Sequence, residues 1–218
     1  VFECFCYARL FYYCCDDMIT LYGSANSSAG KCIWLLEELN VPYEQKELNM
    51  KMKEQKSEWF LKLNPNGKVP VLVDEEFVLW ESFAINQYMA EKYRPELLGR
   101  TIEEKARISQ WTWWGALHPQ QYFETILLFV MYSVGTQAEA IKAGEDVKPY
   151  LKTLEAHIAD KDFIAGKEFT LADISIGSII NLGFGLNYDF SEYPSITAWM
   201  GRLKTRPAMI SLLAKLGR

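Results

Sequence analysis

The sequence predicts an α/β domain on a mixed four-stranded sheet, followed by an all-α domain. Three observations carry this. Between Ile19 and Tyr93 the hydrophobic periodicity switches in the order β-α-β-α-β-β-α, so a βαβ half and a ββα half share one sheet with helices on its faces. Residues 94–100, which contain Arg94-Pro95 and Gly99, then read as a linker. Beyond the linker no segment alternates convincingly as a strand.

Taken in order, residues 19–22 are a short apolar strand and 23–30 a loop of small polar residues. Residues 31–39 are helical by the spacing of Ile33, Leu36 and Leu39, and stop at Asn40. Residues 43–48 alternate as a second strand, and 54–63 form a short helix ended by Asn64-Pro65. Strands 69–73 and 77–80 flank the turn Asp74-Glu75-Glu76, which makes a hairpin. A helix covers 82–93. In the second half, 101–133 reads as one long helix bent at His118-Pro119. Helices 138–143, 148–159, 171–181, 196–205 and 209–216 follow. Thr170-Leu171-Ala172-Asp173 has capping-box spacing ahead of an apolar run.

Composition narrows the function. Half of the 218 residues are hydrophobic, which is ample for a core. Seven Trp, twelve Tyr and twelve Phe are enough to line a pocket or an interface as well. The net charge of −5 argues against a nucleic-acid partner. No apolar run approaches the roughly 18 residues of a membrane span. Four of the five Cys fall in residues 1–17, a segment of irregular pattern that reads as an extension ahead of a domain starting at Met18. Cys4, Cys6, Cys14 and Cys15 lack zinc-site spacing, so no metal is expected. Cys32 reads as a buried small hydrophobe, and this cysteine usage fits a reducing, cytoplasmic setting.

The most specific local feature is Asn64-Pro65-Asn66-Gly67-Lys68-Val69-Pro70-Val71-Leu72, with Glu81-Ser82 following. Pro70 stands where a strand should begin, and proline cannot donate a ladder hydrogen bond. Such a corner, with a cis bond as one option, leaves the Val69 peptide groups able to pair with an extended ligand. Glu81-Ser82 opens a helix, whose free N–H groups suit a carboxylate, while the Glu81 side chain suits an ammonium. A small peptide with both a free amine and a carboxylate fits this set.

The element order, the NPNGKVPVL corner, Glu81-Ser82, the Thr170–Asp173 box and the closing YPSITAWMGRLKTRPA together resemble a cytosolic glutathione transferase, from Met18 to about Leu216. The resemblance implies a thioredoxin-like first domain and an all-helical second one, glutathione as cosubstrate, and conjugation to an apolar electrophile or peroxide reduction. It implies that Pro70 is cis, that Val69 pairs with the cysteinyl group, and that Glu81 and Ser82 hold the γ-glutamyl end. Lys68, and less directly Lys56, are candidates for the glycine carboxylate; a solvated turn lysine is the plain alternative for Lys68.

Such a fold activates a thiol. A free thiol has a pKa of about 8.5, and a hydroxyl donor or helix start aimed at the sulfur favours the thiolate. Counted back from Lys31, Ser27 falls at the catalytic serine of the family's serine-type classes; Ser28 is the fallback and Asn26 a further option. Simple helix capping is the alternative for Ser27. The loop has no Cys, which argues against a glutaredoxin-like reductase. The electrophile pocket is expected between this loop (Ser24, Ala25) and the long helix (Trp114, Gln120, Phe123, with His118 and Gln121 nearby). The resemblance further implies detoxification in the cytoplasm and a homodimer, with Phe77 or Trp80 as an apolar anchor. A non-catalytic binding or assembly module on the same fold is the competing reading.

Overall fold

The computed structural model describes residues 18–217, so the reading of the first seventeen residues lies outside the described residues. Strands β1 (Ile19–Tyr22), β2 (Tyr43–Lys46), β3 (Val71–Asp74) and β4 (Phe77–Trp80) form one sheet in the order β2-β1-β3-β4. β1 and β2 are parallel, with Ile19 opposite Tyr43. β3 runs antiparallel to β1, pairing Leu72 with Leu21, and antiparallel to β4, pairing Leu72 with Leu79. The mixed sheet is therefore as expected.

Helix α1 (Gly30–Leu39) explains how the two halves meet. Every residue from Gly30 to Leu36 is buried, so this helix is covered all round rather than on one stripe. On one side it packs with Leu21, Leu72 and Ile85 into the sheet half; on the other it meets α8 (Leu171–Gly185) and α10 (Pro207–Lys215). The approach to α8 is close. A Cβ on Gly177 would lie 2.9 Å from both the Trp34 ring and Leu203, so only glycine fits there.

A second tie crosses the same boundary. Arg206, at the start of α10, holds Glu38 of α1 through two hydrogen bonds of 2.6 and 2.7 Å, and its guanidinium lies 3.6 Å from the centroid of the Phe169 ring. Trp34 Nε1 donates to the same carboxylate at 3.2 Å. Since the Glu38 side chain is almost wholly buried, removing its partner strands a charge. Arg206→Ala is expected to destabilise the fold by about 3 kcal/mol in urea unfolding. A loss within about 0.5 kcal/mol would show the pair to behave as a surface ion pair.

Several boundaries depart from the periodicity. β2 ends at Lys46, two residues before the expected end. The expected helix 54–63 is divided: Glu54–Lys56 is a 3-10 turn, Ser57 is extended (ψ 153°), and α2 is Glu58–Leu63. Val69 and Pro70 precede β3, which starts at Val71. The linker carries a 3-10 turn, Pro95–Leu98. The expected long helix is two helices, α4 (Ile102–Leu117) and α5 (Pro119–Tyr132), because His118 leaves helical geometry (φ −117°, ψ −82°) and Pro119 opens a new helix where its missing N–H is not needed. Helices α3 (Ser82–Tyr93), α6 (Gln137–Asp146), α7 (Lys148–Ile158) and α9 (Pro194–Lys204) complete the chain. Among the described residues no helix is long and apolar enough to cross a membrane.

Candidate active site

The site assembles where the loop after β1, the Val69-Pro70 corner and the start of α3 converge. Gly23 sets the loop's exit from β1. Its φ of +134° and a would-be Cβ 2.6 Å from Ala29 both require glycine. The same virtual Cβ would lie 3.3 Å from Ser27 Oγ and 3.3 Å from Val69 Cβ. The hydroxyl and the corner residue are thus neighbours across a glycine.

Within the loop, Ser27 N–H donates to the Ser24 carbonyl at 3.0 Å and Gly30 N–H to the Ser27 carbonyl at 2.9 Å, giving two successive turns into α1. Ser27 Oγ donates to the Ser24 carbonyl at 2.7 Å and accepts from the Ala29 amide at 3.2 Å. The helix cap position is Ala29, which makes no side-chain cap bond. Ser27 therefore braces the approach to the helix, and a χ1 rotation would free its proton for a ligand. It is half-buried, whereas Asn26 and Ser28 are exposed.

Val69-Pro70 is cis, as the resemblance implied. Buried Asn64 shapes the corner: its Nδ2 donates to the Lys68 carbonyl at 2.7 Å and its Oδ1 accepts from the Asn66 amide at 3.0 Å. Pairing between β1 and β3 stops at Tyr22 and Val71, so Val69 lies beyond the ladder, beside Ser27. Lys68 is exposed. Lys56 Nζ donates to the Asn66 carbonyl at 2.8 Å. Next to it Gln55 Oε1 is buried without a partner among the described residues, a polar atom the sequence reading overlooked.

Glu81 adopts φ +75°, ψ 114° at the start of α3, an uncommon region for a non-glycine residue. Its side chain is exposed, whereas Ser82 is buried. This start is tied to α1 twice: Cys32 Sγ–H donates to the Ser82 carbonyl at 3.6 Å, and Asn86 Nδ2 donates to the Lys31 carbonyl at 3.1 Å. Burial pushes the Cys32 thiol up to about 12, so it acts as a packing residue.

Beside the loop lies a cavity of about 180 Å³. Ala25, Ser27 and Ser28 line one side; Gln120 and Glu124 of α5, Ile179 and Leu182 of α8 and Leu212 of α10 line the other. Of the expected pocket residues, Ala25 and Gln120 are here. Ser24 is not among the lining residues; its carbonyl anchors Ser27. Trp114 is turned toward α7, packing edge-on against Trp111 at 5.0 Å and against Tyr150 at 6.3 Å. Phe123 is 0 % exposed, wedged against Tyr188 and Phe190 in the helical core. His118 stacks on Tyr150, and Gln121 caps the Leu117 carbonyl. The walls from α8 and α10, and Lys31 beneath the loop, went unread in the sequence. A lone basic residue ending the serine loop was the available signal.

Comparison with known proteins agrees with this geometry. The family models "Glutathione S-transferase, N-terminal domain" and "Glutathione S-transferase, C-terminal domain" match residues 18–91 and 117–207. Glutathione S-transferase GstB of Escherichia coli is 32% identical, over 88% of this chain and 96% of that protein. Glutathione S-transferase 1 of Zea mays is 32% identical over 89% and 95%. Among solved structures, maize glutathione S-transferase I in complex with an atrazine glutathione conjugate superposes with a TM-score of 0.84 at 32% identity, covering 92% of this chain and 98% of that one. The chain belongs to the glutathione S-transferase family.

Proposed function

We propose that the protein is a glutathione transferase that ionises the glutathione thiol beside Ser27 and adds it to an apolar electrophile, or uses it to reduce a peroxide. The observation that carries this is the convergence of Ser27 Oγ and Val69 about Gly23, with Glu81-Ser82 tied to the same end of α1. In this reading Val69 pairs with the cysteinyl backbone, Glu81 receives the ammonium, Ser82 and the α3 start receive the α-carboxylate, and Lys56 and Lys68 attract the glycine carboxylate. The apolar cavity receives the second substrate. Among the described residues no cluster suited to a metal occurs, and the chemistry assigned to Ser27 needs none.

The direct test is retention on immobilised glutathione together with turnover of generic electrophiles. Retention and turnover support the enzyme; retention without turnover of any electrophile supports a binding module. Glu81→Gln is expected to weaken glutathione binding roughly tenfold to a hundredfold, by removing a charge-assisted hydrogen bond. Glu81→Gly, which relieves the positive φ, is expected to lose binding yet raise stability by about 1 kcal/mol. Calorimetric binding and urea unfolding of both variants check this, and unaltered affinity would remove Glu81 from the site.

Two copies are inferred to associate as a homodimer working in the cytoplasm on toxic electrophiles. Support comes from Phe77 and Trp80 on the edge strand β4 and from Trp113 on α4, large apolar side chains left exposed in one chain. Sedimentation of the protein and of Phe77→Glu distinguishes dimer from monomer.

A further inference from the structure

We propose that Lys31 makes the cavity selective for electrophiles whose reacting carbon is conjugated to a carbonyl, holding and polarising that oxygen as the sulfur adds. The inference rests on the glutathione-transferase reading above and names its substrate class.

Lys31 stands on the first turn of α1, directly after the serine loop, and lines the cavity together with Ser27. It is only 7% exposed. Its Nζ donates to the neutral Gln120 Oε1 at 3.0 Å and lies 4.1 Å from the centroid of the Phe83 ring. Among the described residues no carboxylate comes within ion-pair distance of it; Glu124 is reached only through Gln120, whose Nε2 donates to Glu124 Oε1 at 2.7 Å. A buried ammonium without a counterion is costly, and a methionine would fill the same space without that penalty. Burial pulls its pKa down to about 8 against the fields of Cys32, Glu124 and Glu81. An ammonium has three donors, so bonding to Gln120 leaves capacity toward the cavity. The facing walls, Leu127, Ile179, Leu182 and Leu212, are apolar. The fitting ligand has an apolar body and one hydrogen-bond acceptor.

An uncompensated cation that is itself buried suits charge that develops during reaction better than charge already present. Addition to an enal or enone provides this. The thiolate sulfur forms a bond to the β-carbon, and the carbon–carbon π bond breaks. The electron pair moves to the carbonyl oxygen as an enolate, and Lys31 donates a hydrogen bond to that oxygen. Solvent then returns to the α-carbon the proton that the thiol released. No oxidant or further reactant is required.

The test compares a medium-chain enal with benzyl chloride, which has no oxygen, at saturating glutathione, using the full chain and Lys31→Met. Lys31→Met is expected to lower the enal-to-benzyl-chloride ratio of kcat/KM by at least about tenfold. In the parent protein that ratio is expected to fall as pH rises through about 8, and to be flat in Lys31→Met. Taking a ratio cancels ionisation of the shared thiol. The other titratable groups near Lys31 are Glu124 on α5, Glu81 at the start of α3, Cys32 on α1 and Tyr132 lining the same cavity. An unchanged ratio, or equal losses on both electrophiles, overturns the selectivity role alone. A parent protein that neither binds glutathione nor turns over either electrophile overturns the glutathione-transferase reading and this proposal together.

Discussion

Ser27→Ala is expected to lower kcat for conjugation by roughly a hundredfold while glutathione affinity stays within about twofold. The asymmetry follows from the site. In the proposed reading, Val69, Glu81, Ser82 and the lysines anchor glutathione without Ser27. The proposed role of the hydroxyl is confined to the sulfur. Its proton goes to the Ser24 carbonyl and its oxygen accepts from the Ala29 amide, so the proposed role has it turn toward the thiol. A hydrogen bond to the charged form depresses a thiol pKa; losing it returns the thiol toward about 8.5. The activity profile of Ser27→Ala therefore moves to higher pH, and part of the lost rate returns in alkaline buffer. Lost braces at Ser24 and Ala29 add a stability cost of about 1 kcal/mol. Spectroscopic titration of bound thiolate, beside kcat against pH, checks this. Full activity in Ser27→Ala with loss in Ser28→Ala would transfer the role to Ser28.

The second large effect is expected far from the site. Asp173, on the first turn of α8, is 0% exposed. It accepts from the Ile164 amide at 2.8 Å, the Thr170 amide at 2.9 Å, the Thr170 hydroxyl at 3.1 Å and Trp199 Nε1 at 3.2 Å. One carboxylate thus joins the loop before α8, the helix start and α9. Asp173→Ala strands several buried donors and is expected to destabilise by about 4 kcal/mol in urea unfolding. Burial raises its pKa to about 6 despite these donors. The folded value lies above the unfolded one of about 3.9, so the native state binds more protons between them. Its contribution is then full below the unfolded pKa and falls as pH rises through about 6. The stability gap between the parent and Asp173→Asn should narrow from pH 4 to pH 7. A gap that widens would show that the four donors outweigh burial.

Much of the first half was legible because its signals are local. Short apolar runs located β3 and β4, and the Asp74-Glu75-Glu76 turn fixed their hairpin. Pro70 marked a corner that could not be an ordinary strand start. The loop and Glu81-Ser82 were readable as residue types at set separations. Even there, register blurred: Ser57 looks helical by periodicity but is extended between a 3-10 turn and α2, and Val69 looks like strand but lies outside the ladder. The pocket was harder. Trp114 and Phe123 sit on the expected helices, yet one turns to α7 and the other into the core. Periodicity gives a helix an apolar face but not the neighbour that face meets, and α4 and α5 pack against α8 at angles that depend on side chains far along the chain.

The sequence by itself determined the order of elements, the mixed sheet, the corner at Pro70 and the capping box at Thr170 and Asp173. Each is dictated by chemistry within a few residues: period, φ limits, or a missing amide proton. Only the tertiary structure decided that α8 and α10 wall the cavity, that Glu38 and Arg206 clamp the two halves, and that Lys31 is buried beside Gln120 without a counterion. Those contacts join residues dozens to more than a hundred positions apart. Their energies come from desolvation and close packing, which exist only once the chain has closed around them.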